Sequence, residues 1–283
     1  MPRSNAPITV AIQGEAGSFS HAAAVALHGT NVVLKPCPDF EDIFEAVASG
    51  EAARGMVPIE NSLAGSVREN YDYLGTHPLH VVAEIEVRIR HCLIARPGTA
   101  LTDVRRVASH PMALAQCRRF FTAHADLVAV QSYDTAGSVR DLMASRLAAE
   151  AVIGAALAAE IYGAAILARD LEDHPENYTR FLSVATEPFT PEKGKDAKIS
   201  LMFTLPDVPG ALNRALGDLA SRGLNLTKIE SRPIAGRVWE YMFYVDLRDT
   251  PDGRAAEALR SLGEHVTDLR VLGVYPPAGK NAG

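Results

Sequence analysis

A hydroxyl, an amide and a guanidinium stand together at Asn177-Tyr178-Thr179-Arg180-Phe181, where a polar loop over 170–177 enters an apolar stretch over 180–185 that reads as a strand. A threonine hydroxyl is a poor acid but can donate a hydrogen bond to an oxygen that gains charge, and a guanidinium can hold a carboxylate bidentately. Three further polar turns lie upstream: Gly17-Ser18-Phe19-Ser20, Glu60-Asn61-Ser62 and Ser109-His110-Pro111. Each follows a strand-like run and precedes a helical pattern. Ser18, Ser62, Ser66, Ser109 and Thr135 are therefore candidates for helix N-termini, where free N–H groups and the helix dipole favour an anion. Taken singly, each reads as an ordinary N-cap. In an open α/β sheet such turns gather at the carboxyl ends of the strands, where ligands bind.

Two roles are open to Arg180, a carboxylate clamp or a structural contact. Glu60 reads equally as an acid of perturbed pKa or as a buried cap-like carboxylate. His110 sits in a turn, either lining a cleft or bonded to backbone. The nine histidines are scattered. His77 and His80 lie three apart, but Pro78 between them argues against a helical metal pair, and no metal site is expected.

These turns need a scaffold, and the chain is long enough to supply it. Its 283 residues allow two domains with a core in each, and 47% apolar with 22% charged residues is ordinary globular composition. The net charge of −6, with acids and bases interspersed, speaks against a nucleic-acid partner, which usually meets a clustered basic face. Cys37, Cys92 and Cys117 are odd in number and widely spaced, so buried free thiols in a reducing compartment are expected rather than disulfides. No run approaches the ~20 apolar residues of a membrane span. The apolar run Ile8–Ile12 is too short for a signal-peptide core. A cytoplasmic protein without membrane contact is expected.

Over residues 8–186 short apolar runs alternate with helical patterns, as in Ile8–Gln13 followed by His21–Leu27. Phe40, Ile43, Phe44 and Val47 mark one helix face at i, i+3, i+4 and i+7. A long extended stretch, His80–Ala95, is followed by a second run of the same kind. Strands alternating with helices predict a parallel, doubly wound α/β arrangement, and two such runs predict two lobes with a cleft between. Residues 187–197, with Pro188, Pro191 and Gly194, read as a linker that few contacts cross. Beyond it Ile199, Leu201, Phe203 and Leu205 alternate with Ser200, Met202 and Thr204, giving a strand. A helix face follows at Leu212, Ala215, Leu216 and Leu219, and then strands at 224–233 and 238–247, the latter carrying Trp239, Tyr241 and Phe243 on one side. A second helix and a last strand at Leu269–Tyr275 complete βαββαβ over 198–276, the ferredoxin-like order.

Taken together the motifs resemble those of the prephenate dehydratase family, over nearly the whole chain. Gly14-Glu15-Ala16-Gly17-Ser18-Phe19-Ser20 is similar to its first glycine-rich segment. Val57-Pro58-Ile59-Glu60-Asn61-Ser62, continuing to Gly65-Ser66-Val67, resembles a second. His91-Cys92-Leu93, Ser109-His110-Pro111 with Ala115-Gln116-Cys117, and Thr179-Arg180-Phe181 with Asn177 resemble the rest. Gly210-Ala211-Leu212 and Glu230-Ser231-Arg232-Pro233 resemble the phenylalanine-binding motifs of its regulatory ACT domain. Met112, Ala64 and Asn213 depart from the residues common there, glutamine, glutamate and valine.

The resemblance implies an α/β fold: a two-lobed, periplasmic-binding-protein-like catalytic domain with a ferredoxin-like ACT domain behind it, in a monofunctional form. It implies a carbon–oxygen lyase that converts prephenate to phenylpyruvate, water and carbon dioxide in L-phenylalanine biosynthesis, with feedback by L-phenylalanine and no cofactor. By motif match Thr179 is catalytic. Ser18, Phe19, Glu60, Asn61, Ser62, Ser109, Gln116, Thr135, Arg180 and Phe181 bind substrate. Gly210, Ala211, Leu212, Asn225, Leu226, Glu230, Ser231, Arg232 and Pro233 bind the effector. Effector sites of this kind are shared between paired domains, so a homodimer or homotetramer is expected. The alternatives are an arogenate dehydratase, whose substrate carries an amino group on its side chain, and a non-catalytic sensor of small anions.

Overall fold

The computed structural model describes residues 6–192, 195–234, 236–249 and 254–278. The first lobe runs β1 (Ile8–Gln13), α1 (Phe19–His28), β2 (Val32–Cys37), α2 (Phe40–Ala48), β3 (Arg54–Asn61), β4 (Gly65–Ser66), α3 (Arg68–Thr76) and β5 (His80–Arg88). The chain then crosses to a second lobe. This comprises β6 (Cys92–Ala95), β7 (Arg106–Ser109), α4 (Pro111–Ala115), α5 (Arg118–Ala123), β8 (Val128–Gln131), α6 (Thr135–Met143), β9 (Ala151–Gly154), α7 (Ala156–Tyr162) and β10 (Ala165–Ala168). It returns through a loop to β11 (Tyr178–Ala185), which lies in the first lobe's sheet. The third unit is β12 (Ala197–Thr204), α8 (Ala211–Ser221), β13 (Asn225–Pro233), β14 (Tyr241–Asp249), α9 (Arg254–Leu262) and β15 (Thr267–Tyr275), the expected βαββαβ.

The sheets are mixed rather than all parallel. In the first lobe, order β2-β1-β3-β11-β5, β1 runs parallel to its neighbours but β11 is antiparallel to both β3 and β5. In the second, order β10-β6-β9-β7-β8, β7 is parallel to β8 and β9, and β6 is antiparallel to β9 and β10. The departures have one cause. The extended stretch 80–95 is two strands in two different sheets, and β11 must re-enter the first lobe from the far end. The helical stretch after Ser109 is divided into α4 and α5 at Gln116–Cys117. Trp239 precedes β14 rather than belonging to it: it sits at φ +64° and is 85% exposed.

Helix α2 shows how the local code works. Asp39 and Asp42 form a capping box, and Ile43, Phe44 and Val47 bury one face against the first sheet. Each such side chain contributes roughly 1.5–3 kcal/mol on burial. At the far end of α1, His28 reaches Ser183 Oγ of β11 at 3.2 Å. Burial, aided by Arg54, lowers the His28 pKa from its ordinary 6.5 to about 4. The unfolded chain therefore binds a proton that the folded chain refuses. The contribution of His28 to stability is full above pH 6.5 and is lost as pH falls toward 4. Wild type should lose roughly 1–2 kcal/mol to this group between pH 7.5 and pH 5. Urea midpoints of wild type and His28→Gln at the two pH values check it: the variant should show the smaller loss, and equal losses contradict the assignment.

The linker does not separate independent bodies. Met202, Tyr244, Leu272 and Tyr275 of the third unit share one core with Tyr71, Leu74, Leu79 and Val81 of the first lobe. Strand β15 lies so close to β5 that a Cβ on Gly273 would stand 2.0 Å from the Val81 carbonyl oxygen. The expectation of few contacts across 187–197 therefore fails. All eight residues of β12 are buried, so both of its faces are covered. Ile199, Leu201 and Phe203 face α8 and α9, while Met202 joins the shared core. On the same side Ser200 and Lys198 join a polar network beneath the first lobe.

Candidate active site

A cleft of ≈ 580 Å³ opens between the two lobes. Its polar wall is built at Asn61, the last residue of β3. Asn61 Oδ1 accepts the backbone N–H groups of Leu63 (3.0 Å) and Ala64 (2.9 Å), which turns the chain into the short β4. With the oxygen so engaged, the amide nitrogen must face the other way. Nδ2 shares its two protons among Asn177 Oδ1 (2.8 Å), Thr179 Oγ1 (3.0 Å) and the Tyr178 carbonyl (3.1 Å). The consequence is chemical: Thr179 Oγ1 is an acceptor toward Asn61, so its own O–H is left to donate.

The same polarity propagates across the lobes. Asn177 Nδ2 donates to Gln116 Oε1 at 3.1 Å, and that oxygen also faces His91 Nε2 at 2.9 Å. An acceptor already committed to Asn177 requires His91 to carry its proton on Nε2. His91 is buried, burial lowers its pKa, and its Nδ1 has no hydrogen-bond partner among the described residues. Asn61 and Asn177 thus tie the first lobe to Gln116 of the second. A second tie is the ion pair of Glu15 Oε1 with Arg140 Nη1 at 2.5 Å. A third is contact of Gly17 with α7. Gly17 holds φ +90°, and a Cβ there would stand 2.6 Å from Ala158 Cα.

Also at the cleft, Ser18 caps α1, its Oγ accepting the His21 N–H at 3.2 Å. The first N–H groups of α1, at Phe19 and Ser20, have no acceptor within the helix and belong to cleft-lining residues. Asp134 caps α6, accepting the Gly137 N–H at 2.5 Å, and burial raises its pKa above the ordinary 3.8. Among the described residues lining the cleft there is no lysine or arginine. Hydroxyls, amides and helix N–H groups are therefore what it offers an anion.

Of the residues expected to bind substrate, Ser18, Phe19, Asn61, Gln116 and Thr135 line the cleft with Thr179, as do Ser66 and His110. The others are placed elsewhere. Ser109 is fully buried and donates to the Ile153 carbonyl at 2.7 Å, and His110 caps α4 in its stead. Ser62 braces the returning loop, donating to the Glu176 carbonyl and accepting from Tyr178 N–H. It starts a turn into β4, not a helix. Phe181 packs in the core with Val10 and Ile85. Glu60 pairs with Lys228 of β13 at 2.8 Å.

Arg180 departs furthest from a carboxylate clamp. Its Nε lies 2.7 Å from Glu84, its Nη1 2.6 Å from Asp246, and its Nη2 3.2 Å from the Tyr275 hydroxyl. Lys198 and Ser200 complete this buried cluster between the first lobe and the third unit. Burial opposes the guanidinium charge, but Asp246, Tyr275 and Glu84 outweigh it and raise the Arg180 pKa. Period two explains the misplacement: on one strand Thr179 and Arg180 point to opposite faces, so both cannot serve one cleft. Sequence reasoning gave no role to Asp134, Gln13 or Glu69, which also line the cleft. Asp134 had a signal, an aspartate immediately before a helix and followed three residues on by Gly137.

Two α/β lobes around such a cleft, with a βαββαβ unit docked behind, give a binding-protein-like α/β protein with a small-molecule cleft. The sequence model of the family Prephenate dehydratase matches residues 10–189 and that of the ACT domain residues 199–264. The chain belongs to the prephenate dehydratase family. It is 43% identical over 279 residues to arogenate dehydratase/prephenate dehydratase 2, chloroplastic, of Arabidopsis thaliana, covering 95% of this chain and 73% of that protein. The prephenate dehydratase of Arthrobacter aurescens in complex with L-Phe superposes with a TM-score of 0.86 at 36% identity, covering 95% of this chain and 90% of that one. GqqA, described as a novel type of quorum quenching acylase, superposes with a TM-score of 0.87 at 35% identity, covering 96% and 98%.

Proposed function

We propose that this enzyme carries out the decarboxylating dehydration of prephenate to phenylpyruvate. The ring carboxylate leaves as carbon dioxide, its bonding pair enters the ring, and the ring carbon–oxygen pair departs on hydroxide, which takes a proton and leaves as water. The observation that carries the reading is the Asn61–Thr179 bond. It frees the Thr179 O–H to donate toward the leaving oxygen, where a hydrogen bond strengthens as charge develops. The α1 N-terminus receives a substrate carboxylate.

Relatives named for arogenate make that the second reading. Comparing kcat/KM for the two substrates on purified protein tests it. We expect prephenate to be preferred; a tenfold preference for arogenate reverses the substrate and leaves the chemistry standing. Amide hydrolysis, as in the name of GqqA, would call for a base on the hydroxyl. Among the described residues the side-chain partner of Thr179 Oγ1 is the Asn61 amide, so we do not adopt that reading.

L-Phenylalanine is the effector we assign to the third unit. A recess of ≈ 550 Å³ is lined by Gly210, Ala211, Leu212 and Trp239. Gly210 is the αL residue that opens α8. Exposed Trp239, Val238 and Ile229, with the edge strand β13, mark where a second copy would complete the site. Glu230 and Arg232 point the other way, into the first lobe. Glu230 Oε2 accepts from Ser66 Oγ at 2.7 Å, Lys228 donates to that same Oγ at 3.0 Å, and Arg232 pairs with Asp72 at 2.8 Å. Ser66 lines the cleft, so these contacts couple effector to catalysis rather than hold the effector. Glu230→Gln should keep phenylalanine binding in calorimetry but lose most of its inhibition, whereas Gly210→Val should weaken binding at least tenfold. Lost binding in Glu230→Gln would place that carboxylate in the effector site.

No helix of the described residues is long and apolar enough to cross a membrane. The three cysteines are free and buried, which supports the cytoplasmic reading, while several plant relatives are named chloroplastic. Cell fractionation decides.

A further inference from the structure

Behind the cleft, on the far side of the Phe19 ring, the two connectors between the lobes enclose a second recess of ≈ 260 Å³. Its floor is apolar, formed by Phe19 of α1, Val87 of β5 and Leu157 of α7. Its rim is basic. Arg88 ends β5, Arg90 lies in the outgoing connector and Arg169 in the returning one. Against these three guanidiniums stands one carboxylate at the recess, Asp170, which approaches Arg90 only to 3.9 Å. The Arg88 Nε–H is buried and has no hydrogen-bond acceptor among the described residues. In a chain of net charge −6 this is a local excess of positive charge on an apolar cavity. The cleft itself is lined by no such cation.

We propose that this recess is a binding site for a small aromatic carboxylate, distinct from both the catalytic cleft and the phenylalanine recess of the third unit. The ring would lie on Phe19, Val87 and Leu157, and the carboxylate would be held by the guanidiniums, whose forked donors match it. The site has a mechanical consequence. It takes residues from both lobes and both connectors, so its shape depends on the angle between the lobes. A ligand that fits one angle better shifts the lobes toward it. Phe19 is a wall of both cavities, so occupancy is transmitted to the cleft through that ring. The proposal does not depend on which substrate the cleft takes.

Calorimetry with 3-phenylpropionate on the full-length protein, with no L-phenylalanine added, tests it. We expect wild type to bind the acid and to bind its neutral amide, 3-phenylpropanamide, at least tenfold more weakly. Arg88→Gln/Arg169→Gln should lower the affinity at least tenfold while kcat/KM stays within threefold of wild type, which shows that the cleft is intact. Arg169 is exposed, so Arg169→Glu alone is safe for folding and should give the same direction of loss. Wild-type affinity in Arg169→Glu and in the double variant would place the acid elsewhere and overturn the site. So would absence of binding to wild type at millimolar concentration.

Discussion

Thr179→Ala is expected to lower kcat by roughly 10²–10³ while KM and the melting temperature stay near wild type. The magnitude is that of one hydrogen-bond donor removed from a site where negative charge develops on oxygen. The direction follows from the bond polarity: Asn61 Oδ1 is committed to the Leu63 and Ala64 N–H groups, so Asn61 donates to Thr179 and the Thr179 proton is free. Thr179→Ser keeps that proton and should retain most of the rate. Steady-state kinetics on the three proteins check it. Wild-type turnover in Thr179→Ala would remove the hydroxyl from the mechanism.

Arg180→Gln is expected to act on stability instead. Removing one member of a buried ion cluster leaves Glu84 and Asp246 charged and short of a partner, at a cost of about 3–5 kcal/mol. For a chain of this length that is a fall in melting temperature on the order of 10 °C. KM for substrate should change by no more than a few-fold, because the guanidinium faces the third unit and not the cleft. Arg180→Lys keeps the charge but not the fork and should fall between. Denaturation at pH 7.5 with parallel kinetics separates the two roles: unchanged stability with a hundredfold rise in KM would return Arg180 to the substrate. The shared core of Tyr71, Val81, Leu272 and Tyr275 carries the same warning for truncation. Deleting the third unit would expose that apolar face as well as strand the charges, so effector coupling is better tested by point variants.

What the sequence revealed and what it concealed follow from the range of the interactions. The βαββαβ order was legible because strand and helix periods are local, and so was the α2 face at Ile43, Phe44 and Val47. Asn61, Gln116 and Thr179 were legible through the motif resemblance, and the structure brings the three together at the cleft. Neither β11 nor the pair β6 and β10 revealed its antiparallel course, since direction depends on which sheet the chain re-enters. Alternation along β12 correctly separated two faces, but only the docked first lobe decides that Ser200 and Lys198 are buried. Ser109 and Ser62 looked like helix caps. Their hydroxyls are instead taken by carbonyls more than 40 residues away, at Ile153 and Glu176. Glu230 looked like an effector ligand, and its partner, Ser66, is 164 positions distant.

The central claim is that this cleft turns a cyclohexadienyl acid into an aromatic one. Purified protein, dialysed against chelator and given prephenate and arogenate in separate reactions, tests it most directly when carbon dioxide and aromatic product are measured together. The account predicts equal amounts of both from at least one substrate, with no added cofactor, and their joint loss in Thr179→Ala. Binding of both substrates with release of neither product, or carbon dioxide without an aromatic ring, would contradict it.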